Sequence, residues 1–230
     1  MGAIYLIRHG QASFGKADYD QLSEIGIEQS RVLGSALRAR LLKVDAVYAG
    51  AMVRHRQTAE HCLSTFGAAL DVRVHAGFNE FDHDEVIVRH KPLYANRLLM
   101  MADLARTLQP RRAFQQVFEQ ATARWVGGAH DAEYRESWPA FRARCMQAVH
   151  DVVAQLGPSK TALAFTSGGP VTAICQELLK IPDAQVFTLN RTLANGGITK
   201  LVYGERGLHL STVNEHGHFE GALRELITYR

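Results

Sequence analysis

The chain opens on an apolar run, Ala3 to Ile7, that stops abruptly at Arg8-His9-Gly10-Gln11. Its length and its Tyr and Ile content predict a buried strand that delivers Arg8 and His9 to its carboxyl end. Ser23 then reads as the N-cap of a long amphipathic helix, its face marked by Ile25, Gln29, Val32, Leu33, Ala36, Leu37 and Leu41. Alternation over Val44 to Ala49 predicts a second strand, which Gly50 ends, and Met52 to Phe66 is helical again. Asp71 to His75 is a third, short strand. This β-α-β-α-β alternation points to an α/β domain with a largely parallel sheet.

From Pro92 to about Trp138 the pattern changes to helical periodicity with no strand. Leu98, Leu99, Met101, Ala102, Leu104 and Leu108 form one apolar stretch, ended by Pro110; Val117, Phe118, Ala121, Ala123 and Trp125 form another, closed by Gly127-Gly128. A helical insertion of this kind over a sheet edge is the form of a lid, with ordinary helical packing as the alternative. Pro139 then starts a helix with Phe141, Cys145, Ala148, Val149, Val152, Val153 and Leu156 on its apolar face. Thr161 to Thr166 is a buried strand, and Ser167-Gly168-Gly169-Pro170 leads into a helix through Leu179. Ile198 to Tyr203 and Leu208 to Val213 read as a closing hairpin. The expected architecture is a three-layer α/β/α sandwich, a single domain over residues 1–230 with a mostly parallel central sheet and a helical cap insertion over 92–138.

Bulk properties narrow the function. With 230 residues, 47% hydrophobic and 21% charged, the composition is that of a soluble globular protein. The net charge of +3 comes from interspersed acids and bases, which argues for no nucleic-acid surface and does not repel phosphorylated ligands. Cys62, Cys145 and Cys175 are widely spaced and form no CxxC pair, so they read as reduced, buried residues of a cytoplasmic protein. No signal-peptide pattern and no run of membrane-spanning length is expected.

Four polar stretches follow strand ends, where a single cleft would collect them. The first is Arg8-His9-Gly10, a nucleophile beside an anion-binding cation. The second is Ser167-Gly168-Gly169, a hydroxyl and backbone N–H groups at a helix start. Arg54 opens the helix after strand two, and Glu80 lies in the turn after strand three. Taken alone, the first reads equally as a strand end at the surface, the second as a tight strand-to-helix turn, and the Arg54 and Glu80 stretches more readily as solvated charged loops than as a site.

Together they resemble the histidine phosphatase superfamily, the phosphoglycerate-mutase-like clan. Its R-H-G-[EQ] signature stands as Arg8-His9-Gly10-Gln11, and its L-[ST]-x-x-G-x-x-Q as Leu22-Ser23-Glu24-Ile25-Gly26-Ile27-Glu28-Gln29. R-x-x-[QE]-T-A is Arg54-His55-Arg56-Gln57-Thr58-Ala59, and the acid-bearing N-E turn is Asn79-Glu80. The resemblance implies that His9 attacks phosphorus to form a phosphohistidine and that Glu80 protonates the leaving oxygen and then activates water. Arg8, Arg54, Gln11, Ser167 and Gly168 would bind the phosphoryl group, without a metal or other cofactor. The expected partner is a small phosphorylated substrate or inorganic phosphate; neither nucleic acid nor membrane is expected, and the oligomeric state is open.

The chain departs from the pattern at Ser167, where the clan carries the histidine of H-G-G. Losing one preorganised donor costs roughly 3–4 kcal/mol of transition-state stabilisation, of which serine and the helix start recover part. Gly15 also stands where the clan often has asparagine. His83, three residues after Glu80, is the candidate to supply the missing ring near Ser167, while His55, His61, His216 and His218 read as surface residues. Three functions are carried forward. The first is a phosphomonoesterase of this clan, slowed by Ser167. The second is a mutase-type phosphotransferase, with Arg111-Arg112 to clamp a substrate carboxylate. The third is an impaired member that only binds a phosphorylated ligand.

Overall fold

The computed structural model describes residues 1–13 and 20–229; Gly15 lies outside them. Strand β1 (Gly2–Arg8) leads to helix α1 (Glu24–Arg40), which Ser23 caps by accepting the Gly26 N–H. β2 (Ala46–Ala49), α2 (Val53–Phe66) and β3 (Val72–Val74) follow. α3 (His83–His90), α4 (Arg97–Ala105) and α5 (Pro110–Val126) come next, with no strand between them. α6 (Trp138–Leu156), β4 (Thr161–Thr166), α7 (Gly168–Leu179) and α8 (Val186–Thr192) return to the sheet, and β5 (Ile198–Gly204) with β6 (Gly207–Glu215) closes it.

The strands lie in the order β3-β2-β4-β1-β5-β6; the first four are parallel, β5 runs antiparallel to β1, and β6 runs antiparallel to β5. Period-two alternation sends Ile4, Leu6, Tyr48, Ala162 and Ala164 to one face, where Phe141, Cys145 and Val149 of α6 and Ile174 of α7 cover them. Ile7, Val47, Ala49, Leu163 and Phe165 face the other way, onto Leu33 and Leu37 of α1 and Ala59 and Cys62 of α2. Two apolar faces need two covering layers, hence an α/β/α sandwich around continuous apolar strands. The three cysteines are free and buried. No helix of the described residues is long and apolar enough to cross a membrane.

Two helices differ from expectation. α1 leaves Ile25 41% exposed and buries Gly26, Ser30 and Gly34 beside Gln29, Leu33 and Leu37. A Cβ on Gly34 would lie 2.0 Å from the carbonyl oxygen of Cys62, so this face is small to let the α1 and α2 backbones touch. The apolar stretch on α4 is only marginally a core face: Leu104 packs against the core, but α4 buries no residue fully and Leu98 is 77% exposed. It packs on the turn at Pro92–Ala95 and on α5, whose Ala121 and Trp125 do reach the core. α3, capped by Asp82 and seated by Val86 and Ile87, was not anticipated.

Register fixes where the polar residues emerge. Arg8 pairs with Thr166, Ala49 with Phe165 and Ala49 with Val74. His9, Ser167, Gly50 and His75 therefore leave the sheet along one edge, the carboxyl edge where ligands of open α/β sheets bind.

Candidate active site

His9 leaves β1 directly and keeps 7% of its surface exposed. Its N–H donates to Thr166 and its carbonyl accepts from Asn195, so the backbone is held on both sides. Nδ1 lies 2.7 Å from the Gly10 carbonyl oxygen. A carbonyl only accepts, so Nδ1 carries the proton and Nε2 keeps its lone pair. Burial pushes the imidazole pKa well below the ordinary 6.5, and the charges of Arg54 and Arg8, with His55, push the same way. The result is a neutral ring with an unprotonated nitrogen near two guanidinium groups.

The patterned residues around His9 hold its loop. A Cβ on Gly10 would sit 2.4 Å from the Gly26 carbonyl oxygen, so the loop meets the start of α1 backbone to backbone. Gln29 Oε1 accepts the Gln11 N–H at 2.8 Å, Thr58 Oγ1 accepts the Gly10 N–H at 3.1 Å, and Gln57 Oε1 accepts the Leu22 N–H at 2.8 Å. The side-chain oxygen of Gln11 accepts from Ser23 Oγ at 2.9 Å.

Arg54 is 4% exposed at the start of α2. One terminal nitrogen donates to Asp20 Oδ1 at 2.7 Å, while Nε is buried without a hydrogen-bond partner. Asp20 also accepts the Val53 N–H at 2.8 Å through Oδ2 and so serves α2 as a cap supplied from another loop. Arg8 donates to the carbonyls of Leu193 and Tyr229, and its charge reaches His9. Glu80 is half-buried, its carboxylate accepting from the Phe81 and Gly169 N–H groups, each at 3.2 Å. The N–H of Gly169, expected to face an anion, is thus turned to Glu80. A Cβ on Gly169 would lie 2.0 Å from Glu80 Oε1, and one on Gly168 would lie 3.7 Å from Arg8 Nε.

Ser167 is fully buried, and its Oγ lies 2.6 Å from Nε2 of His55. His55 was expected at the surface. It is instead completely buried, its ring centroid 5.7 Å from that of His9. Gly50 makes the room, since a Cβ there would come within 2.2 Å of His55 Nδ1. Burial and Arg54 hold the His55 pKa well below 6.5. The imidazole on Ser167 is therefore that of His55, and no hydrogen bond joins Ser167 to His83. The His83 ring lies against Phe81 at 4.1 Å and Phe118 at 5.9 Å. Burial lowers its pKa; the charge of Glu80 raises it and that of Arg54 lowers it, so it borders the same cleft. Arg111 and Arg112 are exposed at the start of α5. Among the described residues no group of three or more His, Cys, Asp or Glu side chains could hold a metal ion.

Sequence reasoning missed three members of this constellation: His55, Asp20 and Asn195. For His55 a signal existed, because positions 55, 59 and 62 repeat at helical spacing with apolar partners. Asp20 and Asn195 lie in loops whose paths no local pattern reveals.

Comparison with known proteins bears on the fold and the family. A 2,3-bisphosphoglycerate-dependent phosphoglycerate mutase of Sinorhizobium fredii is 29% identical over 93 residues, 37% of this chain and 44% of that protein. The match thus spans less than half the length of that curated relative. The fold is similar to that of a phosphoserine phosphatase from Entamoeba histolytica crystallised with phosphoserine, with 15% identity, TM-score 0.65, and coverage of 95% of this chain and 99% of that one. It is also similar to a phosphoglycerate mutase from Bacillus anthracis, with 18% identity, TM-score 0.63 and coverage of 94% of both chains. The family model of the histidine phosphatase superfamily, branch 1, matches residues 4–97 and 103–216. With that match over nearly the whole chain, and with His9, Arg54 and Glu80 gathered at one sheet edge, the chain belongs to the histidine phosphatase superfamily.

Proposed function

We propose that this chain is a phosphomonoesterase that acts on a small phosphorylated metabolite through a phosphohistidine at His9. The observation that carries the reading is the state of His9: Nδ1–H is tied to the Gly10 carbonyl, and an unprotonated Nε2 lone pair is left near Arg8 and Arg54. In the first step the Nε2 lone pair forms a bond to phosphorus while the ester P–O bond breaks. Glu80 gives a proton to the departing oxygen. In the second, Glu80 takes a proton from water, the water oxygen bonds to phosphorus, and the P–N bond breaks to release phosphate and free His9. Arg8 and Arg54 stabilise charge on the non-bridging oxygens, which is most of what phosphoryl transfer asks of a protein. The buried, unpartnered Nε of Arg54 supports an anion docking there.

The helices over residues 92–138 act in this reading as a lid whose exposed surface selects the substrate. The relatives' phosphoserine and phosphoglycerate chemistry supports small phosphoesters as the class to test. The mutase reading gains little from Arg111 and Arg112, both exposed. The test is a phosphate-release screen over small phosphoesters, with His9→Ala as control. Release by the wild-type chain and none by His9→Ala is expected. Stabilisation by phosphate with no release from any ester would favour a binding protein instead.

A further inference from the structure

Ser167 stands at the N-cap of α7, yet its hydroxyl makes none of the hydrogen bonds that serine makes to its own helix there. It turns to His55, whose Nε2 is 2.6 Å away. A neutral imidazole has one N–H to place. His55 Nδ1 is buried with no partner, and an orphaned buried N–H is rarer than an orphaned buried acceptor. The proton therefore sits on Nε2, which donates to Ser167 Oγ. An oxygen that accepts this bond has its own hydrogen left to donate, and among the described residues nothing else bonds to it. The pairing of Arg8 with Thr166 brings Ser167 off the sheet beside His9.

We propose that His55 is a positioning residue for phosphoryl transfer: it holds the Ser167 hydroxyl off the helix cap, so that its hydrogen is donated to a phosphoryl oxygen at His9. This rests on the reading of His9 as the site of transfer. Where the family pattern has a histidine after the strand, this chain has a serine, and the imidazole comes from α2 behind it. Burial keeps His55 uncharged, so the positive charge of the pocket comes from Arg8 and Arg54. Both members of the pair are closed to solvent, so the bond from Ser167 forms as the bound phosphoryl group parts the groups over it, and in that water-excluded site it acts on developing charge more strongly than in water.

The test is a mutant cycle read in initial rates with p-nitrophenyl phosphate and in affinity for inorganic phosphate by calorimetry. Each of His55→Ala and Ser167→Ala is expected to lower kcat by about tenfold or more. The double variant should lose no more than the worse single one, because both remove the same donor. His55→Gln, whose amide nitrogen falls near the position of Nε2, recovers most of kcat; His55→Asn, whose amide ends near Nδ1, does not. Histidine nitrogen NMR of the wild-type protein needs no variant and is expected to give the Nε2–H tautomer for His55. Losses that multiply, a glutamine no better than alanine, or an Nδ1–H tautomer would overturn the proposal. Should the wild type bind phosphate without releasing it from esters, the phosphatase reading fails alone. The cycle is then read in affinity, where coupled losses support the pair and independent losses refute it. A wild type that does neither overturns both.

Discussion

Gly169→Ala separates the placing of Glu80 from the stability of the fold. A Cβ at Gly169 would lie 2.0 Å from Glu80 Oε1, against the 3.4 Å or more of an ordinary contact, so the oxygen must retreat by about 1.4 Å. The obstacles are the end of the Glu80 side chain and, at 2.9 Å, the edge of the buried Phe81 ring, so side chains move and the backbone does not, at a packing cost of about 1 kcal/mol. Gly169 lies in the first turn of α7 and has no left-handed backbone angle, so alanine is tolerated there. Less freedom in the unfolded chain contributes about 0.4–1 kcal/mol, which offsets the loss of about 1 kcal/mol with the Gly169 N–H to Glu80 bond. The unfolding temperature should stay within about 2–4 °C of wild type. Turnover should not. A misplacement of this size costs about 100-fold in rate, or about 2.7 kcal/mol in the barrier. Phosphate-release kinetics and thermal unfolding on the same preparation read both quantities. A kcat within threefold of wild type, at unchanged stability, would refute the role given to Glu80.

Three further outcomes follow from the same geometry. Asp20→Asn keeps an acceptor for the Val53 N–H but removes the carboxylate that competes for Arg54. The KM should fall about two- to fivefold, the worth of a partly exposed ion pair, whereas a raised KM would make Asp20 a residue that positions Arg54. Ser167→His should lower turnover, because its ring needs the space that His55 holds 2.6 Å from Oγ; a gain in turnover would contradict the pairing. In acid, His9, His55, His83 and His218 have folded pKa values below 6.5, that of His218 at about 4. The unfolded chain then binds more protons than the native one, so their contribution is complete above pH 6.5 and is lost as pH falls towards about 4. Unfolding temperatures measured from pH 7.5 down to 4.5 should drop; a flat or rising profile would show that these rings are not buried neutral.

The central strands were legible because burial on both faces turns them into uninterrupted apolar runs: Ala3 to Ile7 and Thr161 to Thr166 match β1 and β4. The α1 face was not, because what it buries is small: Gly26, Ser30 and Gly34 carry close backbone approach and no hydrophobic signal. On α4 the opposite holds, since Leu98 and Met101 share a helical pattern but face outward. His9, Arg54 and Glu80 were legible from their place after strand ends. His55 was hidden by its two arginine neighbours, which make a buried position look like a charged surface. Its partner Ser167 reads as a loss in the sequence, and only the fold brings the two together across 112 positions.

In the proposed reaction His9 carries the phosphoryl group. Rapid mixing with a phosphoester, an alkaline quench that preserves phosphohistidine, and mass spectrometry of the peptide spanning residues 1–13 test it most directly. A phosphoryl adduct on His9 is expected that is lost in acid and absent from His9→Ala; with p-nitrophenyl phosphate, whose departing oxygen needs no proton, it accumulates in Glu80→Gln, where hydrolysis lacks its base. Phosphate release by the wild type with no adduct on His9, or with the adduct on another residue, would contradict it.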